Sequence, residues 1–129
     1  MTEKLNIALI GCGSWGKNIA RNLHQKGTLA CIYDKDQSLL QKLNQNFNLP
    51  TYSINDIFKN EKIQALVIAS SAKTHKDLAE EALLNNKDVL IEKPFCLSLS
   101  DATNLSKLAI KKNRVLMVGH LLNLSLIHI

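Results

Sequence analysis

A glycine-rich turn between an apolar segment and a helical pattern constrains the fold of this chain more than any other feature. Residues 11–16 read Gly-Cys-Gly-Ser-Trp-Gly, the G-x-G-x-x-G spacing, directly after the apolar segment 5–10. In such a turn Gly11 forms the tight bend, Gly13 lets the backbone approach a diphosphate, and Gly16 lets helix and strand pack closely. The sequence therefore predicts a dinucleotide site here.

The helix that follows this turn should add to the same site. Its free N–H groups and its dipole favour a negatively charged group at the N-terminus. We therefore count Ser14 and Trp15, at the helix start, among the cofactor-binding residues. Trp15 is expected to pack at the helix start rather than to stack on a base.

Short apolar runs alternate with helical patterns along the whole chain, and this alternation indicates βαβ units joined by right-handed crossovers. We predict an α/β fold, a Rossmann-type doubly wound, mostly parallel sheet of about six strands, with its ligand beyond the carboxyl ends of the strands. The predicted strands cover 5–10, 29–33, 50–52, 65–69, 88–92 and 115–118. Predicted helices include one over 54–58 capped by Ser53 or Asn55, one over 72–85, and one capped by Ser100.

An acidic residue ends the second predicted strand. Asp34 lies 18 residues after Gly16, where a carboxylate can accept hydrogen bonds from both ribose hydroxyls of an adenosine and would repel a 2′-phosphate. The spacing favours NAD over NADP. The next residue, Lys35, could pair with a 2′-phosphate, so NADP stays open as a cofactor.

The glycine turn also allows a second interpretation. Residues 11–17 also match G-x-x-x-x-G-K, the beginning of a P-loop. A P-loop continues with Ser or Thr, whose hydroxyl binds Mg²⁺. This chain has Asn18 there, and Gly13 and Asp34 both fit the dinucleotide interpretation, which is therefore preferred.

Composition excludes several other classes. The chain has 129 residues, enough for one domain, with 46% hydrophobic and 21% charged residues, which excludes a wholly disordered chain. No apolar run approaches the ~20 residues of a membrane span. The densest basic cluster, residues 111–114, has no interleaved aromatic residue, so neither a membrane nor nucleic acid is expected as a partner.

The cysteines and the N-terminus bear on the cellular compartment and on metals. The three cysteines, Cys12, Cys31 and Cys96, form no CxxC pair, so neither a disulfide framework nor a cysteine zinc site is indicated and no metal is expected. The N-terminus lacks the pattern of a signal peptide. We therefore expect a cytoplasmic protein.

Five segments in a fixed order carry a family resemblance. They are the glycine turn, Asp34, the Ser-Ser-Ala-Lys-Thr-His segment 70–75, the Val-Leu-Ile-Glu-Lys-Pro segment 89–94 and the Val-Gly-His segment 118–120. Together they resemble the Gfo/Idh/MocA family of sugar and cyclitol oxidoreductases. The resemblance implies a domain that binds NAD or NADP, in an enzyme that transfers hydride between the nicotinamide and a secondary alcohol of a sugar, a cyclitol or a nucleotide-linked sugar.

The resemblance also assigns roles to residues after the fourth strand. It implies that Ser70, Ser71 and His75 line the dinucleotide near its diphosphate and nicotinamide ribose. The family usually has Thr-Pro where this chain has two serines, so the fixed φ of proline is lost. Asn86 stands where the family usually has glycine, and asparagine tolerates the left-handed conformation.

The chemistry is expected from the Glu-Lys-Pro segment. By resemblance, Lys93 contacts substrate and cofactor and is the catalytic residue that hydrogen-bonds the reacting hydroxyl and moves its proton. Glu92 could pair with Lys93 and hold it charged, and Pro94 fixes the turn. Glu92, Lys93 and Pro94 are counted with the cofactor-binding residues, as is His120 after the last predicted strand.

Family members have a second α/β domain with the substrate pocket and usually the oligomer interface, and this chain stops where that domain should begin. We therefore expect residues 1–123 to be the cofactor domain of a longer homo-oligomeric parent with a small sugar-like substrate, inactive alone. Residues 124–129 read Leu-Ser-Leu-Ile-His-Ile, the translation of a transposon-end adapter used in sequencing libraries. This tail is expected to be non-native.

Two functional hypotheses follow. The segments around 92–97 and 119–122 resemble family members linked to surface polysaccharide synthesis, which points to a nucleotide-sugar 3-dehydrogenase. The alternative is a stand-alone dinucleotide-binding or redox-sensing module without turnover, which requires the chain to end naturally here.

Overall fold

The computed structural model describes residues 5–92 and 98–119, where strands and helices alternate. The strands are β1 (Ile7–Ile10), β2 (Leu29–Tyr33), β3 (Ala65–Ile68), β4 (Asp88–Ile91) and β5 (Leu116–Val118). The helices are α1 (Ser14–Gln25), α2 (Gln37–Asn44), α3 (Ile54–Lys59), α4 (His75–Leu84) and α5 (Leu99–Lys112), with a 3₁₀ turn at Ala72–Thr74.

The described strands form one five-stranded sheet in the order β2-β1-β3-β4-β5, and every pair in it is parallel. The chain moves from β1 outward to β2, then returns to the other side of β1 for β3. The strand order therefore reverses between β1 and β3. Ligands of open α/β sheets bind beyond the carboxyl ends of the strands at such a point. The predicted Rossmann-type fold is confirmed.

Helices cover both faces of the sheet. Along β1, Ala8 and Ile10 enter a core shared with α3, α4 and α5. Ile7 and Leu9 enter a second core shared with α1 and α2. Burial on both faces explains why the strand sequences are continuously apolar rather than alternating. None of the helices within the described ranges combines the length and hydropathy needed to cross a membrane.

The predicted strand at 50–52 is wrong, because no strand forms there. The side-chain amide of Asn44 donates to the carbonyl oxygen of Leu49 (2.9 Å) and accepts from its N–H (3.1 Å). The polar groups of this backbone are thus satisfied by a side chain at the end of α2, and Pro50 has no N–H to offer a neighbouring strand. The chain passes α2 as an irregular segment.

Two helix starts show how serine caps operate here. Ser53 caps α3, since its Oγ accepts from the N–H of Asp56 at 3.1 Å. Of the two predicted caps, Ser53 and Asn55, the structure therefore selects Ser53. The predicted cap Ser100 is wrong. Ser98 caps α5 instead, accepting from the N–H of Asp101 at 3.0 Å. The S-x-x-D spacing of residues 98–101 fits the reach of a cap side chain to the third helical N–H.

The predicted helix over 72–85 consists of two parts, the 3₁₀ turn and then α4. It ends as expected, because Asn86 has φ of +62° and takes the left-handed conformation usual for glycine.

A buried lysine joins two loops at the amino end of the sheet, opposite the expected ligand site. Lys87 is 2% exposed, and its Nζ donates to the carbonyl oxygens of Asn60 and Ile63, both at 2.7 Å. Burial lowers the pKa of this ammonium group, against a smaller opposing effect of Glu61. The contacts hold the segment before β3 against the start of β4.

Candidate functional site

The glycine turn packs directly against the segment that follows β3. Gly11 has φ of +114°, and its N–H donates to the carbonyl oxygen of Tyr33 at 2.8 Å. A Cβ on Gly11 would lie 2.6–2.7 Å from backbone atoms of Ala69 and Ser70, and a Cβ on Gly16 would lie 2.9 Å from the carbonyl carbon of Gly11. Side chains are therefore excluded at both glycines. Their absence lets the start of α1 pack against the glycine turn, and the turn pack against the segment that follows β3.

The carboxylate of Asp34 ties the end of β2 to this turn. Its Oδ2 accepts from the N–H of Cys12 at 2.8 Å, and its Oδ1 accepts from the N–H of Asp36 at 2.8 Å. An ionised carboxylate has about four acceptor positions. Asp34 can therefore build the turn and still accept hydrogen bonds from a ligand.

A cleft of about 570 Å³ lies between the glycine turn, the end of β2, α3 and the segment after β3. Its predicted lining residues are Gly11, Gly13, Asp34, Lys35, Ser70 and Ser71. Apolar side chains from three helices, Leu39, Ile54 and Leu78, complete the walls. The cleft combines an apolar compartment with a carboxylate and a cation at its edge.

A second cleft of about 280 Å³ lies on the other side of the glycine turn, lined by Gly13, Ser14, Trp15, Glu92 and residues 69–72. The two clefts share Gly13 and residues 69–71. A Cβ at Gly13 would meet no atom within 4 Å, so this glycine borders open space. An elongated ligand occupying both clefts would pass over Gly13, and the site fits a dinucleotide in this respect.

The structure separates the three residues predicted after β3. Ser70 and Ser71 line both clefts. His75 lines neither of these clefts; its side chain is buried at 1% exposure, and its Nε2 lies 2.8 Å from the carbonyl oxygen of Ser70. The resemblance implied that His75 lines the dinucleotide, but the structure places its side chain behind the serine backbone instead. The histidine reaches the site through the serine backbone.

Glu92 directly follows β4 and lines the second cleft. Its side chain is buried at 2% exposure, and its N–H donates to the carbonyl oxygen of Ile68 at 2.9 Å. Lys93, Pro94 and His120 lie outside the described residues. Their roles remain predictions.

Thiol chemistry is disfavoured at the turn. Burial, with the nearby Asp34 charge as the smaller cause, raises the pKa of Cys12 to about 12, and burial raises the pKa of Cys31 to about 11. Both thiols stay protonated near neutral pH, whereas the thiolate is the reactive form. Across the described part of the chain, no group of three or more His, Cys, Asp or Glu residues could hold a metal ion.

The geometry also bears on the P-loop interpretation. Helix α1 already begins at Ser14, so Gly16 and Lys17 belong to its first turn. The N–H of Lys17 donates to the carbonyl oxygen of Gly13 at 3.0 Å. Residues 11–17 therefore do not form the long loop that cradles phosphates in a P-loop.

Sequence reasoning missed several lining residues of the first cleft. Lys73, Thr74 and Asp77 follow the predicted serines along the same connection and line the cleft. Their position after the carboxyl end of a central strand was an available signal. The apolar residues Leu39 and Ile54 carried none, because their helical spacing indicates only core packing.

Known proteins of similar sequence cover nearly the whole chain. The 2,7-anhydro-N-acetylneuraminate hydratase of Escherichia coli (strain K12) is 27% identical over 123 residues, 92% of this chain and 32% of that protein. The inositol 2-dehydrogenase of Rubrobacter xylanophilus is 28% identical over 120 residues, 90% of this chain and 35% of that protein. The chain thus spans about a third of the length of these relatives.

A solved structure and a family profile agree with this fold. The structure of GenD2 from gentamicin A biosynthesis, in complex with NAD, matches with a TM-score of 0.84 at 27% identity, over 92% of this chain and 35% of that chain. The profile of the GFO_IDH_MocA family, described as an oxidoreductase family with an NAD-binding Rossmann fold, matches residues 5–120. This chain belongs to the Gfo/Idh/MocA oxidoreductase family.

Proposed function

We propose that this chain is the cofactor-binding domain of an NAD(P)-dependent oxidoreductase acting on a secondary alcohol of a sugar, a cyclitol or a nucleotide-linked sugar. One observation carries the proposal: two clefts meet over Gly13 at the point where the strand order reverses. Family membership and the similarity to an inositol 2-dehydrogenase support it.

The diphosphate is proposed to lie over the N-terminus of α1. This 12-residue helix begins after Gly13, which offers no side-chain cap, and its first turn has no acidic residue. Gly13 thus provides no side-chain acceptor for the N–H groups at the start of α1, and no acidic residue in the first turn offsets the positive end of the helix dipole. This arrangement favours an anion.

The adenosine half is proposed to occupy the larger cleft. Leu39, Ile54 and Leu78 provide apolar surface for an adenine, and Asp34 can accept from the ribose hydroxyls. The carboxylate disfavours a 2′-phosphate and Lys35 favours one. We therefore propose NAD as the preferred cofactor, with NADP bound more weakly.

The nicotinamide half is proposed to extend through the smaller cleft toward Glu92. A bound nicotinamide supplies the acceptor or donor of hydride. Lys93, the residue after Glu92, is proposed to hydrogen-bond the reacting hydroxyl and accept its proton. Pro94 and His120 are proposed as further cofactor-binding residues of this half.

The substrate proposal is broader than any one relative. The named relatives include a hydratase and a dehydrogenase, and we propose the dehydrogenase reaction for the parent. A nucleotide-sugar 3-dehydrogenase remains the specific proposal. We also propose that the parent is a homo-oligomer through a second domain.

Calorimetric titration of this chain tests the cofactor proposal. We expect NADH to bind more tightly than NADPH, and ATP with Mg²⁺ to bind far more weakly than either. Tighter binding of MgATP would instead support a P-loop protein. Absence of binding by either nicotinamide cofactor would refute the proposed function.

The source gene tests the proposed parent. DNA prepared without the transposon adapter should read on past codon 123 into a second domain. The purified parent should then change the absorbance of NADH with an inositol or a UDP-sugar, and Lys93→Ala should abolish turnover while the Kd for NADH stays within about twofold. A gene that stops after Ile129 would support the stand-alone module instead.

A further inference from the structure

The backbone turn at Ser70 and Ser71 is held from behind by the residues that begin α4. The carbonyl oxygen of Ser70 lies 2.8 Å from Nε2 of His75. The carbonyl oxygen of Ser71 accepts from Thr74 twice, from Oγ1 at 2.7 Å and from the N–H at 3.0 Å. Both carbonyls of the turn between the two clefts are therefore engaged within the protein.

These contacts determine where the protons lie. A carbonyl oxygen can only accept, so the Thr74 hydroxyl donates to Ser71 and Nε2 of His75 carries a hydrogen. Thr74 Oγ1 also lies 2.8 Å from Ser70 Oγ. Because the Thr74 hydrogen is directed to Ser71, the Ser70 hydroxyl is the donor in that contact.

The same assignment describes the other nitrogen of the histidine. In the tautomer that carries its hydrogen on Nε2, the lone pair of the ring lies on Nδ1. This atom is buried and has no hydrogen-bond partner within residues 5–92 and 98–119. The one hydrogen bond that the ring makes there is the bond that fixes the Ser70 carbonyl.

We propose that His75 and Thr74 are positioning residues of the cofactor site and that Ser71, rather than Ser70, offers the hydroxyl donor to the diphosphate. A carbonyl oxygen turned toward the clefts would repel a diphosphate, and the contacts of His75 and Thr74 oppose such a rotation. The Ser70 hydrogen is engaged with Thr74, whereas the Ser71 side chain is exposed at the clefts. The inference rests on the proposed function for the identity of the ligand.

Matched variants at His75 separate the hydrogen bond from simple packing. His75→Gln can place an amide N–H where Nε2 donates, whereas His75→Phe keeps the ring volume without a donor. We expect His75→Phe to raise the Kd for NADH about tenfold, the effect of one lost hydrogen bond, and His75→Gln to raise it less than about threefold. Equal losses in both variants would overturn the positioning role of this hydrogen bond.

Serine variants test the assignment of donors. Ser71→Ala should raise the Kd about tenfold, as expected for a lost hydrogen bond to a charged group, and Ser70→Ala should raise it clearly less. Ser100→Ala, an exposed serine on α5, is the matched control. A larger loss in Ser70→Ala than in Ser71→Ala would overturn the assignment.

Two measurements on the ligand-free chain keep the inference independent of cofactor binding. The ¹⁵N chemical shifts of His75 should show the Nε2–H tautomer, and an Nδ1–H tautomer would overturn the assignment. In Thr74→Val, amide hydrogens of residues 70–72 should exchange about tenfold faster than in the wild type, because two side-chain contacts are lost. Unchanged exchange would overturn the role of Thr74. A chain that fails to bind NADH but passes both tests would refute the proposed function and leave the described turn intact.

Discussion

The Oδ2 atom of Asp34 accepts a hydrogen bond of 2.8 Å from the backbone N–H of Cys12, which joins the end of β2 to the glycine turn. Cys12 is buried at 1% exposure, so this N–H has little access to water as an alternative partner. The carboxylate that is proposed to recognise the ribose is therefore also part of the framework that shapes the diphosphate site. Binding and local stability should change together when it is altered.

Replacing Asp34 tests this double role. Asp34→Ala should lower the free energy of unfolding by about 1–3 kcal/mol, since the buried Cys12 N–H loses its acceptor, and should raise the Kd for NADH at least tenfold. Urea unfolding and calorimetric titration measure the two effects. The control is Asp36→Ala, which removes the cap of α2 and should cost about 1 kcal/mol with little change in binding. A stable Asp34→Ala variant with wild-type affinity would contradict the account.

The glycines of the turn should respond differently to alanine. Gly11→Ala should lower the free energy of unfolding by about 3 kcal/mol or more, because φ is +114° and a Cβ would overlap the backbone of Ala69. Gly13→Ala should leave stability within about 1 kcal/mol, since its φ is −74° and its Cβ would meet open space. Its Kd for NADH should nevertheless rise about tenfold or more, because the methyl group would occupy the path of the diphosphate. Wild-type affinity in Gly13→Ala would show that the ligand passes elsewhere.

Much of the fold could be predicted because local sequence marks it. The strands are continuously apolar because both faces of the sheet are buried. The glycine turn and the asparagine helix end supply backbone conformations that other residues rarely adopt, as the positive φ values of Gly11 and Asn86 show. The strand at 50–52 was mispredicted because the competing interaction is a side-chain contact between Asn44 and Leu49. A local hydropathy pattern does not reveal such a contact.

The candidate site was predictable only in part, for a similar reason. The family resemblance implied that Ser70, Ser71 and Glu92 belong to the cofactor site, and all three line the clefts. The burial of His75 behind them depends on a contact with a backbone carbonyl. The residue type alone, at a helix start, is equally compatible with a ligand contact.

The buried thiols predict a loss of stability in alkali. The pKa of Cys12 is raised to about 12 and that of Cys31 to about 11, from 9.0. Above about pH 9 the unfolded chain therefore releases thiol protons that the folded chain keeps, so the free energy of unfolding falls as pH rises, by at most about 1.4 kcal/mol per pH unit for each thiol. Urea unfolding of the double variant Cys12→Ala, Cys31→Ala should show a shallower decline between about pH 9 and pH 11. An identical slope in the wild type and the variant would contradict the assigned burial.

Lys87 provides a stability prediction far from the site. Lys87→Met should lower the free energy of unfolding by about 1–3 kcal/mol, because the carbonyl oxygens of Asn60 and Ile63 lose their donor. The Kd for NADH should stay within about twofold, since these contacts lie at the amino end of the sheet. Thermal or urea unfolding measures the first effect and titration the second. A tenfold loss of affinity would show that the two ends of the sheet are coupled.

The central claim is that a nicotinamide dinucleotide lies across both clefts with its diphosphate over Gly13. Titration of the ¹⁵N-labelled chain with NADH, followed by amide chemical shifts, tests it most directly. The account predicts saturable shifts at residues 11–16, 34–35 and 69–72, with little change at Lys87 and the amino ends of the strands. The absence of saturable shifts, or shifts confined to one cleft, would contradict it.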